Sequence, residues 1–235
     1  MKPYYQVGNI TIYHGNCEEL IGLIGQVDLL LTDPPYGIGE AAGKNKSRGK
    51  LAIAQDFGNH SWDDRPIDQM LINRLIGQSK EAIMWGGNYY QVTPSSCWLV
   101  WDKDNTGDFA DCELAWTNLD RAVRKFKYRW NGMLQEHMGR NKEVRVHPTQ
   151  KPLALMSWCL SLSRTTGTVF DPFMGSGTTL VAAKTAHRSA IGIEQDERYC
   201  EIAANRLAQE VFDFGEAKEG DQVGSQAGLS FGDFF

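Results

Sequence analysis

Short, nearly continuous apolar runs, each stopped by turn residues, recur along this chain and alternate with segments of helical period. The plainest is Val27–Thr32, VDLLLT, which runs straight into Asp33-Pro34-Pro35-Tyr36-Gly37. Three successive leucines leave a strand without a polar face, so it needs cover on both sides. The same pattern predicts strands at Ile10–Tyr13, Ala82–Trp85, Cys97–Trp101, Thr168–Asp171 and Ala190–Glu194. Helical spacing puts Ile67, Met70, Leu71 and Leu75 on one face of a helix over 67–76. It does the same for Tyr199, Ile202, Ala203 and Leu207 over 196–208. Pro152 suits the first turn of a helix carrying Leu153, Met156 and Leu160. The alternation predicts an α/β fold whose mostly parallel sheet is covered by helices on both faces.

The 235 residues fit one domain, read as residues 1–212, followed by a flexible acidic tail over 213–235. No apolar stretch reaches the roughly 20 residues needed to span a bilayer, so no membrane partner is expected. The N-terminal MKPYYQVGNITIYHG lacks the apolar run of a secretory signal. Cys17, Cys97, Cys112, Cys159 and Cys200 form no CxxC pair and read as reduced thiols of a cytoplasmic protein, with no metal site implied. The formal net charge of −5 is unevenly placed. Six of the 29 acids but only one of the 24 bases fall in residues 210–235, which leaves 23 of each sign in residues 1–209.

Two basic runs stand out. Residues 43–50 carry Lys44, Lys46, Arg48 and Lys50. Residues 121–130 carry Arg121, Arg124, Lys125, Lys127 and Arg129, interleaved with Phe126, Tyr128 and Trp130. Solvated surface segments would have this composition. So would segments that contact phosphates and stack bases.

Two strand ends carry chemistry. In TVFDPFMGSGTTLVAA, residues 168–183, a strand ends at Asp171 and a Gly175-Ser176-Gly177 turn opens a helix. Glycines let a ligand approach the backbone, and the helix start offers unpaired amides. The next strand ends in Glu194, placed to bind ribose hydroxyls. Thr178 and Thr179 stand where a phosphate-binding loop needs Lys-Ser or Lys-Thr. Asp171 suits a cationic ammonium better than a pyrophosphate. An adenosine with an amino-acid end, S-adenosylmethionine, meets these demands; a tight turn without a ligand is the competing reading. At Asp33-Pro34-Pro35-Tyr36, two prolines stiffen the turn. The Pro34 carbonyl and Asp33 carboxylate can then accept from an exocyclic amine, with the Tyr36 ring on the face of its base.

These motifs resemble those of the amino-methyltransferases of DNA, in the circularly permuted β class where the target-amine motif precedes the cofactor motif. Asp33, Pro34, Pro35 and Tyr36 look like its catalytic motif, and Phe173-Met174-Gly175-Ser176-Gly177-Thr178-Thr179 like its cofactor loop. His147-Pro148-Thr149-Gln150-Lys151-Pro152 resembles the motif beside the methionine end, and Trp85–Tyr90 a segment lining the target pocket. The resemblance implies a Rossmann-like fold for S-adenosylmethionine-dependent methyl transfer. It implies cofactor contacts from Asn16, Cys17, Asp33, Thr149, Gln150, Lys151, Asp171, Pro172, Phe173, Gly175, Ser176, Gly177, Thr178, Thr179, Glu194 and Gln195. Asn16 departs from the family, which often has Gly-Asp where this chain has Gly15-Asn16. Asp at 33 points through the resemblance to adenine N6 in DNA, with cytosine N4, RNA, protein or a silent DNA-binding relative as alternatives.

A small target-recognition insertion is expected over about 103–146, with Arg140 and Lys142 joining Arg124, Lys125, Lys127 and Arg129 in contacting DNA, and with 44–50 as a clamp. The resemblance also allows a homodimer. Gln226–Phe231 resembles the hexapeptide by which bacterial proteins bind the replication sliding clamp, against the competing reading of a solubilising tail.

Overall fold

The computed structural model describes residues 2–37, 66–105, 110–131, 134–138, 142–147 and 149–209. Lys44, Lys46, Arg48, Lys50, Arg140, Pro148 and the whole of 213–235, with Gln226–Phe231, lie outside the described residues.

Along the chain run β1 (Tyr5–Val7), β2 (Ile10–His14), α1 (Cys17–Leu20), β3 (Val27–Thr32), α2 (Gln69–Gly77), β4 (Ser79–Trp85), β5 (Trp98–Asp102), β6 (Cys112–Thr117), β7 (Arg124–Lys127), β8 (Trp130–Asn131) and β9 (Leu134–Gln135). Then come α3 (Leu153–Leu162), β10 (Val169–Asp171), α4 (Thr178–Thr185), β11 (Ala190–Glu194) and α5 (Glu197–Ala208). One sheet of nine strands has the order β1-β2-β11-β10-β3-β4-β6-β5-β7. Among its described strands only β1 and β6 run against the rest.

The run of leucines in β3 is explained by its place near the middle. Leu29 and Leu31 pack with Ile12, Ile83 and Val169 under α3, α4 and α5. Leu30 points the other way, with Ala82 and Phe170, onto α1 and α2. All three leucines are fully buried, each contributing about 1.5–3 kcal/mol. In α2, Asp68 caps the start by accepting from the Met70 amide at 2.6 Å. Its buried face is Leu71, Ile72 and Leu75. Met70, expected on that face, is exposed, because the capped helix starts at Gln69 and turns Ile72 inward. Pro152 stands one residue before α3, in extended conformation, rather than inside its first turn.

Residues 103–146, expected as a small target-recognition insertion, supply β6 and β7 to the main sheet, and among the described residues the β8–β9 ribbon stands apart from it. Among the described residues, no helix is long and apolar enough to cross a membrane.

Candidate active site

The parallel strands β2, β3, β10 and β11 end on one side of the sheet, where open α/β sheets hold ligands. Their ends deliver Asn16, Asp33, Asp171 and Glu194 to the wall of one cavity of about 770 Å³. Its described lining holds six carboxylates, on Glu18, Asp33, Asp68, Asp171, Glu194 and Asp196, against a single lysine, Lys151. That imbalance repels phosphates and favours a ligand carrying positive charge.

On one half of the cavity, Asp171 accepts from the Thr32 hydroxyl at 2.8 Å and the Phe173 amide at 3.2 Å. Burial pushes its carboxyl up to about 6. Glu194 accepts from the amides of Gly175, at 3.0 Å, and Asp196, at 2.8 Å, and burial pushes it up to about 7. Gly175 has φ +50° and Gly177 φ +79°, so the turn needs both glycines. Arg206 of α5 braces this turn from behind, donating to the Ser176 carbonyl at 2.6 Å and the Thr178 hydroxyl at 3.1 Å.

On the other half stands the Asp33 turn. The Tyr36 hydroxyl donates to Asp33 Oδ1, and Lys151 Nζ donates to Oδ2 at 2.5 Å. Burial raises the Asp33 pKa, and the Lys151 ammonium works against that rise. Burial, with Asp33 beside it, also drives the Tyr36 phenol well up. The Tyr36 ring stacks on Tyr89, centroids 4.8 Å apart and planes at 16°. The Tyr90 hydroxyl donates to the Pro35 carbonyl, tying this turn to the Gly86–Tyr90 segment.

The cavity gathers Asn16, Cys17, Asp33, Pro35, Thr149, Gln150, Lys151, Asp171, Pro172, Phe173, Gly175, Ser176, Thr178, Thr179, Glu194 and Gln195, all expected from sequence. Three of the expected residues have structural contacts as well. Gly177 is absent from the described lining: a Cβ there would lie 2.7 Å from that of Ala203, so the glycine serves the packing of α4 on α5. The Gln150 side chain is occupied with backbone, accepting from the Val146 amide at 2.9 Å and donating to the Val144 carbonyl at 3.3 Å. Asn16 Oδ1 caps α1, accepting from the Glu18 amide at 2.8 Å. Pro34 is buried, and neither it nor Tyr36 is among the lining residues.

The aromatic-basic run also changes meaning. Tyr128 and Trp130 are buried, and Phe126 stacks on Trp158 of α3 with centroids 5.1 Å apart. Tyr128 and Trp130 thus belong to the core, and Phe126, partly buried, packs against it. Lys125, Lys127 and Arg129 face outward, paired with Asp102 at 3.3 Å, with Asp104 at 2.8 Å and with Asp104 again. Lys142 is exposed.

Sequence reading missed Glu113 of β6, an acid among apolar neighbours that pairs with Lys151 at 3.2 Å and with Lys103. It missed His147 as a lining group, its ring 4.4 Å from that of Tyr199.

Comparison with known proteins agrees with this geometry. The N6/N4 family model described as DNA methylase matches residues 73–205. The type II methyltransferase M.HpaI of Haemophilus parainfluenzae is 42% identical over 231 residues, covering 82% of this chain and 72% of its own. M2.MboI of Moraxella bovis is 25% identical over 252 residues, covering 88% and 91%. The solved structure of an M1.HpyAVI–SAM complex superposes with a TM-score of 0.54 at 25% identity, over 85% of this chain and 100% of that one. The chain therefore belongs to the DNA methylases of the N6-adenine/N4-cytosine family and is a DNA methyltransferase.

Proposed function

We propose that this protein transfers a methyl group from S-adenosylmethionine to the N6 amine of adenine in DNA. The observation that carries the reading is the Asp33 carboxylate, standing on the wall of the same acidic cavity as Asp171 and Glu194. A cationic ligand with an adenosine end fits that wall: Glu194 would meet its ribose hydroxyls, and Asp171 and the glycine turn its amino-acid end. When bound, S-adenosylmethionine supplies an electrophilic methyl group.

The chain's own residues do the remaining work. An exocyclic amine is a poor nucleophile because its lone pair is delocalised into the base. Asp33 and the Pro34 carbonyl accept its N–H bonds, favour a tetrahedral nitrogen and meet the positive charge that develops there. Asp33, whose pKa is raised by burial, then takes the proton the nitrogen sheds. A base inside a duplex cannot reach this turn, so it enters flipped, with Tyr36 and Tyr89 as its aromatic surroundings. The outward lysines of β7 contact phosphates and contribute salt-dependent affinity.

Incubating protein, duplex DNA and methyl-labelled S-adenosylmethionine, then analysing nucleosides by mass spectrometry, is expected to yield N6-methyladenine. N4-methylcytosine would overturn the choice of base but keep the transfer. D33A is expected to abolish transfer while calorimetric binding of S-adenosylmethionine stays within about threefold; wild-type turnover by D33A would sink the mechanism.

A further inference from the structure

The cavity favours a cation, yet one lysine lies in its wall. Lys151 is 7% exposed; its ammonium donates to Asp33 Oδ2 at 2.5 Å and forms an ion pair with Glu113 Oε2 at 3.2 Å. Its ammonium is held by two carboxylates of the protein itself, which gives it a role toward Asp33. We propose that Lys151, anchored by Glu113, is a positioning residue that keeps Asp33 ionised and aimed at the target amine. The proposal rests on the reading of Asp33 as the acceptor of that amine.

Geometry supplies the first argument. An ionised carboxylate offers about four lone-pair directions. Tyr36 takes one on Oδ1 and Lys151 one on Oδ2, which fixes the plane of the group and leaves one on each oxygen for the substrate. Charge supplies the second. A buried carboxylate without a counter-ion tends to protonate, and a protonated Asp33 could accept less from an amine. A lone lysine would cancel the negative charge that the developing cation needs. Glu113 behind it shares the ammonium, so Lys151 does not neutralise Asp33 alone, and with Lys103 on Glu113 the four groups alternate in sign. Lys103 closes the far side of Glu113, with its ammonium 4.9 Å from the ring centroid of Trp101.

Around Asp33 the charged and titratable groups are Tyr36 on its own turn, Lys151 ahead of α3, Glu113 on β6 and Asp171 at the end of β10. Lys151 is the cation in direct contact with it among the described residues.

The test measures kcat and KM against pH for wild type, D33A, K151M, K151R and E113Q, with S-adenosylmethionine binding by calorimetry and melting on each. In K151M the acidic limb of kcat is expected to move up by about one to three pH units, while cofactor affinity stays within about threefold. K151R should restore the limb, and E113Q should lower kcat with Lys151 still in place. If K151M does not fold, E113Q decides: the Glu113 charge raises the Asp33 pKa, so its loss should move the acidic limb down with cofactor affinity held. An unmoved limb in folded K151M, or in E113Q where K151M does not fold, overturns the proposal. So does cofactor affinity weakened more than about tenfold with the limb in place, which would make Lys151 a cofactor ligand. Activity remaining in D33A would instead overturn the reading of Asp33 on which this rests.

Discussion

A Cβ built on Gly86 would lie 1.9 Å from Cε1 of Tyr36, and the residue's φ is +68°. Both facts demand glycine, and both act on the ring expected to face the flipped base. G86A is expected to cost about 1–3 kcal/mol of stability through backbone strain and to lower kcat disproportionately, because Tyr36 must leave its place on Tyr89. Equal loss of melting stability and undisturbed turnover would contradict this. Glu194 and Asp171 make a second prediction. Burial holds them near 7 and 6, above ordinary carboxylates, so their protonated forms favour the ligand-free fold. That stability is present below the unfolded range near pH 4 and is lost as pH rises through about 6 and 7. Melting of the ligand-free protein should therefore fall between pH 5 and pH 7.5 on their account, and E194Q should flatten the slope.

At the scale of elements, β7 separates packing from binding in a single strand. Its inward side chains rest on α3, and the Trp101 indole of β5 donates to the Tyr128 carbonyl just beyond it at 2.9 Å. W101A is expected to cost about 3–5 kcal/mol in denaturant melts, being fully buried. The pair K125A/K127A should leave melting nearly unchanged and reduce the salt dependence of DNA binding by about two phosphate contacts. The strict alternation Lys125-Phe126-Lys127-Tyr128-Arg129-Trp130 is a strand signal in the sequence itself, obscured there by the attraction of aromatics beside bases. The central strands β3, β10 and β11 are legible because burial on both faces demands unbroken apolar runs. The motif turns are legible because ligands lie at strand ends. Glu113 was not, since its meaning depends on Lys151, 38 positions away, which only the folded sheet brings beside it. Gly177 and Gln150 show a related limit: a motif shows which residues gather at a turn, while packing and hydrogen bonding decide what else each one touches.

For the whole molecule, a ligand that binds only the folded state raises its stability by about 2.7 kcal/mol at a hundred times its dissociation constant. In a domain of this size that is a rise in Tm of roughly 5–10 °C, expected with S-adenosylmethionine and checked by calorimetry. The order of the sheet carries a further consequence. Strands β2 and β3 are consecutive in the chain, joined through residues 15–26, yet β11 and β10 lie between them. In the finished sheet β2 and β3 stand about 14 Å apart, at about 4.8 Å per strand, so until β10 and β11 are made each lacks its partner across that gap. During synthesis at about 5–20 residues per second, the gap stays open for roughly 8–30 s after β3 has been made. Both of its walls are strand edges of unpaired backbone N–H and C=O groups, flanked on one face of the sheet by Ile10, Ile12, Leu29 and Leu31. The nascent chain thus carries these two edges unpaired until residue 194 emerges, open to strand addition by another chain.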